Sequence, residues 1–175
     1  MSLDLSEWKN IHRKYNYADN GHIRERIKKK GYFATLEDID IINQIALWKL
    51  NRQVHVDFET IEYLNSIART VNDPEEEIKN HDVVELINDL LKSPGVRLSI
   101  ASTILKFYQP KAFPIIDQRA YYQLFSEKLP QSAGVEIYLQ YIRKCIDIGK
   151  KYNIPFEKID EVLYQKDKEE GHKLN

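Results

Sequence analysis

Between Leu91 and Ala120 the chain reads LKSPGVRLSIASTILKFYQPKAFPIIDQRA, and this order of residues restricts the fold more than any other stretch. Ser93-Pro94-Gly95-Val96 is a tight-turn sequence, with proline preset for the second position and glycine free to take positive φ at the third. Leu98, Ala101, Leu105 and Tyr108 then recur at helical spacing. Pro110 stops that helix, and Phe113-Pro114-Ile115-Ile116 leads in extended form to a single acid, Asp117. The turn places backbone N–H groups at a helix N-terminus, where a phosphate can sit.

The rest of the chain reads as helix after helix. Trp8 and Ile11 share one side of a short helix from Leu5 to about Lys14, and Asp19 or Asn20 can cap a second that runs to about Lys30. That second helix holds the densest basic run, Ile23 to Lys30, which reads as a solvated face or a phosphate contact. Thr35 and Asp38 make a capping-box start for a helix ending near Gln53. Asp57 caps the next, and Asp73-Pro74 opens a brief turn of helix. His81 to Leu91, Asp117 to Phe125 and Val135 to Lys151 complete the main helices. Asn153-Ile154-Pro155 restarts a last one that ends near Lys166. No hairpin signal flanked by alternating apolar residues occurs, so the expected fold is a compact all-α domain over residues 1–166, with two helical lobes around the Asp117 cleft. Residues 167–175 read as a charged, frayed tail.

Hydrophobic residues at 42% and charged residues at 30% fit a globular domain, and no apolar run is long enough to span a membrane. The cytoplasm is the expected compartment. The net charge is −1, so a nucleic-acid surface would have to be local, with Lys92, Arg97, Lys106 and Arg119 as its candidates. Cys145 is the sole cysteine, which excludes an intramolecular disulfide and a cysteine-held cluster; mid-helix it reads as a packed small apolar residue. The five histidines lack metal-ligand spacing, and phosphate-binding glycine loops are absent, so no metal or cofactor is expected.

Ser93 to Leu105 followed by Phe113-Pro114-Ile115-Ile116-Asp117 resembles the helix-hairpin-helix DNA glycosylase superfamily, and most closely its adenine glycosylase branch, with the helix-hairpin-helix at about residues 83–109. The likeness covers about 30 of the 175 residues. It implies an all-α glycosylase-like fold and double-stranded DNA as partner. Ser93, Gly95, Val96, Arg97 and Ser99 would form a phosphate anchor, with Arg119 nearby, and Asp117 would be the catalytic carboxylate. It implies hydrolysis of the N-glycosidic bond of a damaged or mismatched base, the carboxylate stabilising the oxocarbenium-like sugar. Ser99 stands where lyase-competent relatives place a Schiff-base lysine, which implies hydrolysis without strand cleavage. Arg97 replaces the second hairpin glycine.

Each of these residues also has a plainer role. Asp117 opens a helix and can simply cap it, and Gly95 can serve a turn that touches nothing else. Trp48 reads as core or as a stacking platform. Lys49 and Arg52 share a helix face that reads as a phosphate contact or a solvated helix end, and Gln118 reads as a water-orienting group or an exposed one. Two further readings therefore stand beside the enzyme: a non-catalytic helix-hairpin-helix module for DNA or a protein partner, and a helical protein that keeps the hairpin as architecture.

Overall fold

The computed structural model describes residues 4–15, 21–30, 35–50, 54, 56–70 and 73–172. Among them are ten α-helices and no strand. These are α1 (Trp8–Arg13), α2 (Gly21–Lys29), α3 (Leu36–Leu50), α4 (Phe58–Thr70), α5 (Pro74–Glu77), α6 (His81–Lys92), α7 (Leu98–Tyr108), α8 (Gln118–Phe125), α9 (Val135–Tyr152) and α10 (Ile159–Glu170). A 3-10 turn, Phe156–Lys158, leads into α10. The all-α expectation holds. No helix among the described residues is long and apolar enough to cross a membrane.

Local side-chain caps account for five of the ten described helix starts. Asp57 accepts from the Thr60 N–H at 2.7 Å, Asp73 from Glu75, Asn80 from Asp82 and Asp117 from Ala120, each satisfying a donor that the first turn leaves open. At α3 the Asp38 carboxylate takes the Thr35 N–H at 2.6 Å, which is the backward arm of a capping box. The proposed caps Asp19 and Asn20 lie outside the described residues.

α7 is the axis of the fold. The sequence suggests one apolar stripe, but every residue from Ile100 to Tyr108 is buried, because α2, α3, α4 and α6 all pack against it. α6 presents Val83, Leu86, Ile87 and Leu90 to this core, at the spacing of one helix face. α10 packs chiefly along α8, with α1 on it as well, and the buried apolar residues of both regions belong to one continuous cluster. The basic run is divided, with Lys28 and Lys29 exposed and the other three cations engaged by neighbours. Arg26 pairs with Glu37 and Asp40, Lys30 pairs with the fully buried Asp38, and Arg24 lies over the Phe107 ring at 5.4 Å.

The C-terminal boundary differs from the expectation. α10 continues to Glu170, and Asp167 is completely buried, with Arg119 at 2.7 Å, His172 at 2.9 Å and Gln123 at 3.4 Å. Residues 167–170 are therefore a held helix end. Charge alone suggests a tail, and only the partners on α8 make this carboxylate an interior group.

Glu77, at the end of α5, is buried with one oxygen lacking a hydrogen-bond partner. Burial, then the neighbouring Glu76 and Asp73, push its carboxyl up to about 7 from an ordinary 4.5. The folded state therefore holds this proton more tightly than the unfolded chain does. That contribution is complete below about pH 4.5 and is lost as pH rises through 7. Glu77→Gln is expected to raise unfolding free energy by roughly 2 kcal/mol at pH 8 and to change it little at pH 4, measured by urea denaturation at both values.

Candidate functional site

Two parts of the suspected site come from the two ends of one helix–turn–helix–extended-segment unit. At the turn, the Val96 N–H donates to the Ser93 carbonyl at 3.0 Å, and Gly95 sits at φ 84°. Proline second and a positive-φ glycine third is the pattern of a type II turn, and a side chain at Gly95 would be strained. Ser93 and Val96 are buried: the Ser93 hydroxyl donates to the Asp89 carbonyl, and Val96 joins the core. Pro94, Gly95 and Arg97 are exposed. Arg97 occupies the cap position of α7 in an extended conformation, and no side chain caps that helix. Ser99 is half-buried and serves through its carbonyl, which accepts from the Ser102 and Thr103 hydroxyls.

The other part is the run that follows α7. Residues 113–116 are buried and lie outside any helix, with no strand among the described residues beside them to satisfy their backbone. Side chains from three helices do so instead. The Ile115 N–H donates to Asp160 at 3.0 Å and the Ile116 N–H to the Ser102 hydroxyl at 3.2 Å. The Pro114 carbonyl accepts from the Tyr138 hydroxyl at 2.8 Å, and the Ile115 carbonyl from the Tyr141 hydroxyl at 2.9 Å. Asp160 is itself paired with Lys106 at 2.7 Å, and the lysine also donates to the Glu157 carbonyl at 2.8 Å. Burial raises the Tyr138 and Tyr141 hydroxyls well above their ordinary range, so both remain donors.

This strap ends at Asp117. One carboxylate oxygen caps α8 through the Ala120 N–H at 2.8 Å, and the other lies 3.6 Å from the Lys49 ammonium. Both side chains are mostly buried, at 19% and 10% exposure. They line a small polar cleft with Tyr15, Asp160, Glu161 and Tyr164, whose free volume of about 10 Å³ matches a single water. Glu161 is hydrogen-bonded to His12 and lies 3.2 Å from Lys158. Tyr15 stacks on His12 and meets Tyr164 edge-on. A carboxylate so held can stabilise a developing positive charge, and the adjacent ammonium can steady an oxygen or a phosphate. Among the described residues, no group of three or more His, Cys, Asp or Glu side chains is placed to hold a metal ion.

The remaining residues singled out by sequence divide clearly. Lys49 joins Asp117. Trp48 packs edge-on against Phe107 at 5.3 Å, as a core residue does. Gln118 clamps the following loop, its amide donating to the Leu129 carbonyl and accepting from the Leu129 N–H. Arg119 is turned to Asp167 on α10, and Lys106 is 1% exposed. The positive surface expected from Lys92, Arg97, Lys106 and Arg119 is therefore not assembled: two of the four charges are committed to buried acids, and Lys92 pairs with Asp89. Arg52 lies outside the described residues. Sequence reasoning missed Tyr15, Asp160, Glu161 and Tyr164, which carry no motif. The one available hint was a lysine, Lys106, inside the apolar run Ile104-Leu105-Lys106-Phe107-Tyr108. Comparison of the chain with protein-family models, curated proteins and solved structures yields no match.

The strap makes its supports measurable. Lys106→Met leaves Asp160 buried and unpaired and is expected to cost about 3–5 kcal/mol. Tyr141→Phe removes one bond to a buried carbonyl and is expected to cost about 1–2 kcal/mol. Equilibrium urea unfolding of both variants checks the order and the size.

Proposed function

We propose that this chain is a glycosylase-like DNA-binding protein, in which the turn at residues 93–99 engages a backbone phosphate and Asp117 faces the sugar of a nucleotide removed from the stack. The observation that carries the reading is the strap: four buried hydrogen bonds hold residues 114–116, and their one exit is a carboxylate beside an ammonium in a polar cleft. Capping a helix needs no such support, since Asp57 and Asp73 cap theirs from exposed positions. The exposed turn with Gly95 at positive φ and an α7 N-terminus that no side chain caps supplies the anchor. In the proposed reaction the C1′–N bond breaks with its electron pair leaving on the base, positive charge builds on the sugar next to Asp117, and water adds at C1′ as its proton passes to the departed base.

A second reading, a non-catalytic module that uses the same turn to bind DNA, draws on a specific observation. The cleft beside Asp117 has room for about one water, so a sugar enters only if Tyr15 or Lys49 moves.

Binding to short duplexes, intact and with an abasic-site analogue, separates these readings from an architectural hairpin. Wild type is expected to bind the abasic duplex more tightly, with affinity falling as salt rises. Arg97→Glu, a surface change, is expected to weaken that binding about tenfold, and Gly95→Pro to abolish it. Asp117→Asn keeps a good helix cap, so it is expected to retain duplex affinity while base release falls about a hundredfold or more. Binding without base release leaves the module reading. No binding at low salt by folded wild type removes both.

A further inference from the structure

A second concavity shares no lining residue with the Asp117 cleft and meets the hairpin at Ser93 and Pro94. It has a volume of about 760 Å³, within the usual range of ligand clefts, and is walled by the start of α3, the first turns of α4 and the α6–α7 turn. Ile39, Val56 and Pro94 give it apolar surface, and Asp57, Glu59 and Asp89 give it a negative rim. Its one described cation, Lys92, is held by Asp89 at 2.8 Å. The Thr60 N–H keeps the Asp57 carboxyl below its usual range, so this acid stays charged. Burial, followed by Asp82, Glu85 and Asp89, pushes the Tyr63 hydroxyl in the same wall up to about 12.

Helix-end chemistry explains part of the charge, since acids are favourable in a first turn. It does not explain the apolar surface beside them. Three large hydrophobic residues are exposed among the described residues, and two of them, Leu36 at 77% and Phe58 at 44%, open α3 and α4, the helices whose first turns contribute to the groove wall. Leu36 shares a helix face with Ile39, and Phe58 stands between Asp57 and Glu59. Exposed apolar surface rimmed by charge marks a contact site. The sign of the rim selects the contact: it repels a phosphate backbone and attracts ammonium and guanidinium groups.

We propose that this groove docks a short basic peptide segment of a protein partner, an apolar side chain seated on Ile39, Val56 and Phe58 and flanking Lys or Arg side chains paired with Glu59, Asp57 and Asp89. This interaction does not depend on the DNA reading. The two share the wall at Ser93 and Pro94, so the peptide sits beside the turn proposed to hold DNA.

Fluorescence anisotropy with the full chain and three labelled peptides of about twelve residues tests it. One carries Leu and Phe between Lys and Arg; the second has Ala for its apolar residues; the third has Glu for its basic ones. The first peptide is expected to bind saturably, and the other two at least about tenfold more weakly. Phe58→Ser and Glu59→Lys are each expected to weaken the first peptide to a similar degree. Glu127→Lys, an exposed acid in the turn after α8, is expected to leave it unchanged. Circular dichroism confirms that each variant is folded. Equal binding of the basic Ala peptide would reduce the site to general charge attraction and overturn the proposal. So would unchanged binding by Phe58→Ser and Glu59→Lys, no binding of the first peptide at low salt, or duplex binding that those two substitutions weaken.

Discussion

A non-helical segment buried in an all-helical protein has no neighbouring strand to take its hydrogen bonds, and much of this structure answers that constraint. Leaving a buried N–H or carbonyl unpaired costs about as much as a lost hydrogen bond, so the Pro114–Ile116 backbone must be met by side chains. Ser102 from α7, Tyr138 and Tyr141 from α9 and Asp160 from α10 supply them. Asp160 then needs a cation, and Lys106 reaches it from the last turn of α7, inside the core. The pair is costly to bury and costlier to break, and it fixes α7, α10 and the strap in one register.

This arrangement couples the two ends of the proposed site. α7 begins at the exposed turn around Gly95 and Arg97, carries Ser102 and Lys106 in its interior, and is followed by the segment those residues hold. The distance from turn to Asp117 is thus set by one helix and a run of satisfied backbone, with little freedom to vary. In the proposed reaction that rigidity positions the sugar: a phosphate placed at the turn puts the attached nucleotide at a constant offset from the carboxylate. α3 closes the cleft by bringing Lys49 to Asp117. The acidic groove meets the same turn at Ser93 and Pro94 and shares no lining residue with the cleft at Asp117.

What the sequence conveys depends on the range of the interactions involved. Caps and turns act over two to four residues, and Asp57, Asp73, Asp117 and the Ser93–Val96 turn are all readable from their neighbours alone. Lys106 and Asp160 are 54 positions apart, and Arg119 and Asp167 are 48 apart. No local rule separates such charges from solvated ones, so Lys106 and Arg119 read as surface cations and Asp167 as part of a tail. The tyrosines fail similarly. Tyrosine spacing alone gives no sign that Tyr138 and Tyr141 are wholly buried, which they are because their hydroxyls have a backbone to serve. Lys49 is the instructive middle case: its helix face is readable, but its position beside Asp117 emerges only when α3 packs on α7.

The most direct test of the proposed site follows backbone amides by 1H–15N NMR while an abasic-analogue duplex is added to the full chain. The account predicts shifts concentrated at Gly95 to Ser99 and at Asp117 to Ala120, two sequence-distant segments that respond together and lose their response as salt is raised. Shifts confined to one segment, or concentrated at the acidic groove around Glu59 and Asp89, would contradict a shared DNA site built from the turn and the strap.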